Sequence, residues 1–69
     1  MSRIIGKIAD YNGVSGIIID KEKVKYVFTS KDLLDKEINT GDIVSFEPEL
    51  YKTVEIKINL ARFISKENN

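Results

Sequence analysis

The sequence of 69 residues contains no cysteine, no histidine and no tryptophan. Each gap closes off some chemistry. Without cysteine there is no disulfide and no thiolate nucleophile, and without cysteine or histidine the usual zinc ligands are missing. Histidine acid–base catalysis goes as well, and neither Ser30 nor Ser45 has an imidazole to activate it. Glycine, at four residues, is too sparse for a phosphate-cradling loop. Long apolar runs are missing too. Ile17-Ile18-Ile19 is the longest aliphatic stretch, against the ~20 residues needed to cross a bilayer, and no apolar leader follows Met1. The expectation is one small cytoplasmic domain with no membrane contact, not an enzyme, and without a cofactor or a metal. Asp10-Tyr11-Asn12-Gly13 opens like a calcium loop, but the ligand ladder fails at Val14 and ends on Lys21 where glutamate is required. A chain of this length buries only about 60% of its unfolded surface, so a small hydrophobic core has to carry the fold alone.

Eleven basic and eleven acidic side chains give zero net charge, but they are not evenly spread. Residues 1–31 sum to +3 and residues 32–69 to −3. If folding keeps these halves apart, one face is mildly basic and suits an anionic partner; if it mixes them, no field results.

The apolar pattern is that of strands. In residues 3–11, Ile4, Gly6 and Ile8 fall on one face and Arg3, Ile5, Lys7 and Ala9 on the other. Asn12-Gly13 marks a tight turn, since both residues tolerate positive φ. The run Ile17–Ile19 and the alternation Val24-Tyr26-Phe28 predict the next two strands, separated by the charged stretch Asp20–Lys23. Ser30–Leu34 has room for a helical turn behind an N-cap serine. Thr40-Gly41 turns the chain into Ile43–Phe46, a strand that Pro48 is expected to close. Val54, Ile56, Ile58 and Leu60 alternate as a fifth strand, and Ala61–Ile64 breaks its phase, as a bulge does. The domain is expected to span residues 1–64, with a frayed polar tail over residues 65–69. Five short strands in a lone domain shed most of their exposed edges by closing up. The expected fold is all-β, a five-stranded antiparallel Greek-key OB-fold barrel with one short helical turn, ahead of an SH3-like barrel. Gly6, Gly16 and Gly41 are expected where strands bend or approach closely.

Four segments, in order, resemble the bacterial cold-shock domain, which is an OB-fold. Gly6-Lys7-Ile8-Ala9-Asp10-Tyr11-Asn12 is similar to that family's opening G-K-V-K-W-F-N. Ser15-Gly16-Ile17-Ile18 resembles the end of its first ribonucleoprotein motif, K-G-F-G-F-I, and Lys25–Ser30 its second, V-F-V-H-F-S. Gly41-Asp42-Ile43-Val44-Ser45-Phe46-Glu47 resembles the fourth-strand pattern G-x-x-V-x-F-E. The resemblance implies a protein that binds single-stranded RNA or DNA with little sequence preference, in RNA chaperoning or in regulating transcription or translation. Bases would stack on outward rings, each stack worth about 1–3 kcal/mol, while lysines meet phosphates.

Carried over by position, the implied nucleic-acid-binding residues are Lys7, Tyr11, Ser15, Ile17, Tyr26 and Phe28. Asp10 stands where the family has tryptophan, Ser15 and Ile17 where it has phenylalanines, and Thr29 where it has another aromatic, so only half a platform remains. Tyr26 and Phe28 share a strand face and serve either as this platform or as core. Lys21, Lys23 and Lys25 are either a solvated hairpin tip or phosphate contacts. Tyr51 and Lys52 either add a stacking contact or cover the end of the barrel. Asp10, Ser15 and Ile17 favour an alternative, a barrel that has lost nucleic-acid binding and serves as a protein-interaction or structural module. Oligomeric state is not legible.

Overall fold

The structure, a computed structural model, describes residues 3–67. It contains five strands and one 3-10 turn: β1 (Ile4–Tyr11), β2 (Ser15–Asp20), β3 (Lys25–Thr29), the turn at Ser30–Asp32, β4 (Ile43–Lys52) and β5 (Lys57–Lys66). The sheet closes on itself in the order β1-β2-β3-β5-β4, with β4 returning to β1. Every pairing is antiparallel except β3 with β5, which is parallel and rests on the Val27–Leu60 bridge. The all-β, OB-like barrel is therefore as expected, with a parallel seam where an all-antiparallel sheet was expected.

Period-2 alternation sorts the side chains. Ile8, Ile18, Tyr26, Phe28, Val44, Phe46, Ala61 and Ile64 point inward and, with Ile38 from the connection before β4, form the core. Two close approaches make this possible. A Cβ on Gly6 would lie 2.6 Å from the Ile18 methyl, and one on Gly16 would run into the Asp10 carbonyl oxygen and lie 2.6 Å from the Phe28 ring. Gly13 and Gly41 instead supply positive φ, 93° and 97°, in the turns read from Asn12-Gly13 and Thr40-Gly41. Asn12 secures its turn by accepting the Val14 and Ser15 N–H groups on its side-chain oxygen.

Two register shifts shape the wall. Between Ile8 and Asp10 the β1–β2 ladder slips, so Ala9 and Asp10 both face solvent before Tyr11 turns inward. In β5 a bulge falls at Phe63, in the left-handed region at φ 51°, within the phase break seen in the sequence. Arg3 braces it by donating to the carbonyls of Ser45 (2.8 Å) and Phe63 (2.5 Å).

The strand ends differ from expectation. Pro48 does not close β4: the strand continues to Lys52, because Pro48 lies beyond Phe46, the last β4 residue paired with β1, and needs no donor on that side. The fifth strand begins at Lys57, leaving Val54 fully exposed in a turn. Of the tail over residues 65–69, Ser65 and Lys66 are not frayed, since they pair with Ser45 and Val44, and residues 68 and 69 lie outside the described residues. Past the barrel, β4 and β5 continue as a two-stranded ribbon whose tip is fastened by the Thr53 hydroxyl, which accepts the Glu55 and Ile56 N–H groups.

Candidate nucleic-acid interface

Residues opposite one another in a ladder share a face, so the register gives the composition of the outer wall. One row reads Lys7 on β1, Ile19 on β2 and Lys25 on β3. The next reads Asp10, Ile17, Val27, Leu60 and Glu49 across all five strands. Two residues from Leu60 and Glu49, Ile58 on β5 stands opposite Tyr51 on β4, and both keep the outward phase. The wall is thus aliphatic along its middle, with lysines at the end nearer the β2–β3 turn, where Lys21 and Lys23 also lie exposed. Lys7 and Lys23 flank an open hollow of ≈ 550 Å³ that also touches Ala9, Ile19, Thr40 and Gly41.

Charge pairing is uneven over the surface. Among the described residues the ion pairs are Arg3–Glu47 (3.7 Å), Arg62–Asp32 (2.9 Å), Arg62–Glu49 (3.3 Å) and Lys66–Asp42 (3.5 Å). The hydrogen bonds it donates to Asp32 and Glu49 push the Arg62 guanidinium further above its already high pKa. Lys7, Lys21, Lys23 and Lys25 take part in none of these pairs. The acid among them, Asp20, is turned to local use: it accepts the Glu22 N–H (2.9 Å), the Val24 N–H (3.0 Å) and the Tyr26 hydroxyl (3.1 Å). Burial pushes the Asp20 carboxyl up, but the hydrogen bonds from Val24, Tyr26 and Glu22 outweigh it and hold the group below its usual range. Burial, then the bond to Asp20 and its negative charge, pushes the Tyr26 hydroxyl up.

The structure divides the six residues that the cold-shock likeness marks. Lys7, Ser15 and Ile17 face outward on the wall, with Ile17 half-buried. Tyr26 and Phe28 do not: they are 8% and 1% exposed. The Tyr26 ring packs edge-on against Phe46 at 4.8 Å, and Phe28 lies 5.4 Å from Tyr11. Tyr11 is half-buried against the core, so it belongs to the lid of the barrel rather than to its wall. Stacking of bases on Tyr26 and Phe28 is thereby corrected. Alternation on β3 places Lys25, Val27 and Thr29 outside, one position out of phase with the aligned motif. The two-residue spacing had shown that Tyr26 and Phe28 share a face; it carried no information on which face was the inner one.

A further ring is exposed, that of Tyr51. Tyr51 does not cover the end of the barrel; it stands on the projecting ribbon, 51% exposed, on the same face as Lys7 and Lys25. Its outward phase follows from the continuation of β4 past Pro48, which no local sequence signal announces. No protein-family model and no curated protein matches this chain. The cold-shock likeness rests on the motifs alone.

Proposed function

We propose that this barrel binds single-stranded RNA or DNA on its outer wall, held chiefly by phosphate contacts and with little sequence preference. The observation that carries the reading is the lysine end of the wall. Lys7 and Lys25 flank Ile19 in one row, Lys21 and Lys23 stand at the same end, and none is in an ion pair among the described residues. A polyanion gains from neutralisation by several such cations at once, and the gain is released as counterions. The half-buried Ile17 and Ile19 and the partly exposed Val27 give sugars and base edges an apolar floor without the specificity of hydrogen-bonded readout. RNA chaperoning, or regulation of transcription or translation, is the cellular role that goes with such binding.

Four phosphate contacts to a single strand predict a log–log salt slope of about −3, a loss of about 50-fold in affinity between about 50 and 200 mM salt. Anisotropy titration of a labelled pyrimidine oligonucleotide measures it. Binding that is absent at low salt, or indifferent to salt, sinks the reading.

A second reading is favoured by the row Ile17–Val27–Leu60, which suits a protein partner. It predicts that a photo-crosslinking residue at position 27 captures a discrete protein adduct in cells, one that survives nuclease. Nuclease-sensitive adducts alone would count against it.

A further inference from the structure

Base stacking needs an outward ring, and the sealed positions of Tyr26 and Phe28 leave the β2–β3 face without one. Two rings elsewhere are exposed, Tyr51 and Phe63. Phe63 lies on the β5 bulge, where it lines a hollow with Lys31, Asp32, Leu34 and Arg62, and there the Arg62 guanidinium is already engaged by Asp32 and Glu49. Tyr51 is placed differently. Leu60 is outward with Val27, and Ile58, two residues before Leu60 on β5, is directly opposite Tyr51 on β4. Tyr51 therefore shares its face with the row Lys7–Ile19–Lys25 and lies toward the same end of the barrel.

We propose that Tyr51 is the base-stacking residue of this protein, at the end of a track that crosses the strands from Lys7 over Ile19 and Lys25 to Ile58 and the β4–β5 ribbon. This rests on the nucleic-acid reading above and adds the residue that reads bases to the lysines that hold phosphates. Adjacent strands lie about 4.8 Å apart, so the four steps from β1 to β4 give a path of about 19 Å, enough for a few nucleotides. Charge decides the occupant: the lysine row is complementary to a polyanion, and no carboxylate of the described residues pairs with it.

Tyr51 is also free for the task. Among the described residues its ring pairs with no other aromatic, in contrast to Tyr11 and Tyr26, and its hydroxyl forms no hydrogen bond within the chain. Its ribbon is held by the Tyr51–Ile58 and Lys52–Lys57 pairs and by a 2.7 Å bond from Thr53 N–H to the Ile56 carbonyl. A ring displayed on a fastened hairpin loses little freedom when a base lands on it. Lys52 and Lys57, the next pair along the ribbon, fall on its opposite face, so the cations of the track are those of the Lys7–Lys25 row and the β2–β3 turn.

The test uses the full chain and two labelled probes of equal length, a pyrimidine oligonucleotide and its abasic counterpart, at about 50 mM salt. Tyr51→Ala is expected to weaken the first by about 5- to 140-fold, the span of one lost stack, and to leave the abasic probe unchanged. Tyr51→Phe should bind within about twofold of the parent, since the ring is kept. The chain has no tryptophan, so Tyr51→Trp provides a lone reporter whose emission should be quenched by the first probe and not by the second. Lys25→Gln should weaken both probes and make the salt slope shallower by about 0.7. If Tyr51→Ala binds the base-bearing probe as the parent does while Lys25→Gln weakens it, the role of Tyr51 is overturned and the nucleic-acid reading stands. Equal weakening of both probes by Tyr51→Ala also overturns stacking. If the parent binds neither probe, both proposals fall together.

Discussion

Replacing Phe28 tests the inward placement on which the corrected site depends. The side chain is 1% exposed, packs on Tyr11 at 5.4 Å and covers Gly16. Truncation to alanine removes the buried ring and leaves a cavity, at a cost of about 3–5 kcal/mol. A chain of this length holds a total stability of about 3–10 kcal/mol, at roughly 0.05–0.15 kcal/mol per residue. Phe28→Ala should therefore lower Tm by at least about 12 °C, at about 4–8 °C per kcal/mol in a domain of this size, or unfold the protein outright. Val27 is its neighbour, 40% exposed and outward. Val27→Ala should cost less than about 1 kcal/mol. Thermal melts followed by circular dichroism give both numbers. Phe28→Leu keeps most of the apolar volume, should fold, and should bind an oligonucleotide with parental affinity, because the ring never meets the ligand. If Phe28→Ala melts within a few degrees of the parent, or if folded Phe28→Leu loses binding fivefold or more, then the ring is on the surface and the assignment of faces on β3 is wrong.

Two further outcomes follow from the packing and the charges. Gly16→Ala should be worse than Gly13→Ala: at Gly16 the new methyl meets the Asp10 carbonyl oxygen and the Phe28 ring, and costs about 3 kcal/mol, whereas at Gly13 it meets open space and costs only the left-handed conformation, about 1–2 kcal/mol. Urea midpoints rank the two, and equal midpoints would refute the close approach. Stability should also be bounded on both sides by the Asp20–Tyr26 bond. Asp20 has a lowered pKa in the fold, so its contribution is present above the unfolded carboxylate value near 4 and is lost as pH falls through the folded one. Tyr26 has a raised pKa, so its contribution holds below the unfolded tyrosine value near 10 and is lost as pH rises beyond it. Tyr26→Phe should flatten the alkaline limb in a pH series of melts, and an unchanged limb would show that the hydroxyl is not coupled to folding.

Much of the fold was legible because it follows from local chemistry. Asn12-Gly13 and Thr40-Gly41 sit in the turns they announce, with glycine at positive φ in each, and the phase break after Leu60 is the bulge at Phe63. What was not legible depends on partners far along the chain. Pro48 ends a strand flanked by neighbours on both sides and is tolerated in one with a free edge, and its freedom is set by where β1 begins. Val54 and Ile56 continued the alternation of the fifth strand, but a chain reversal at Thr53–Ile56 needs residues of its own and took them. The site suffered most. A sheet strand shows which residues share a face, and the core decides which face it keeps. On β3 the bulky pair Tyr26 and Phe28 was worth more to a small core than the alternative face of Lys25, Val27 and Thr29.

The parallel seam sets how this barrel comes apart. β4 and β5 are zipped from Val44–Lys66 to Lys52–Lys57, while β3 meets β5 at Val27–Leu60, helped by the Leu33–Ile64 bridge and the Arg62–Asp32 clasp. Joining Val27 to Leu60 closes a long loop, as the β1–β4 pairing also does, but it does so on a single register pair where β1–β4 has four. The cylinder behaves like a sheet of paper rolled with one narrow glued edge. It should zip that edge last during folding and breathe there first, so amide protons along β3 and the facing stretch of β5 should exchange faster than those in the β4–β5 ladder. Each such opening leaves the antiparallel ladders whole and briefly uncovers Ala61 and Ile64, which makes the seam the place where a protease or a misplaced strand from another chain would find its entry.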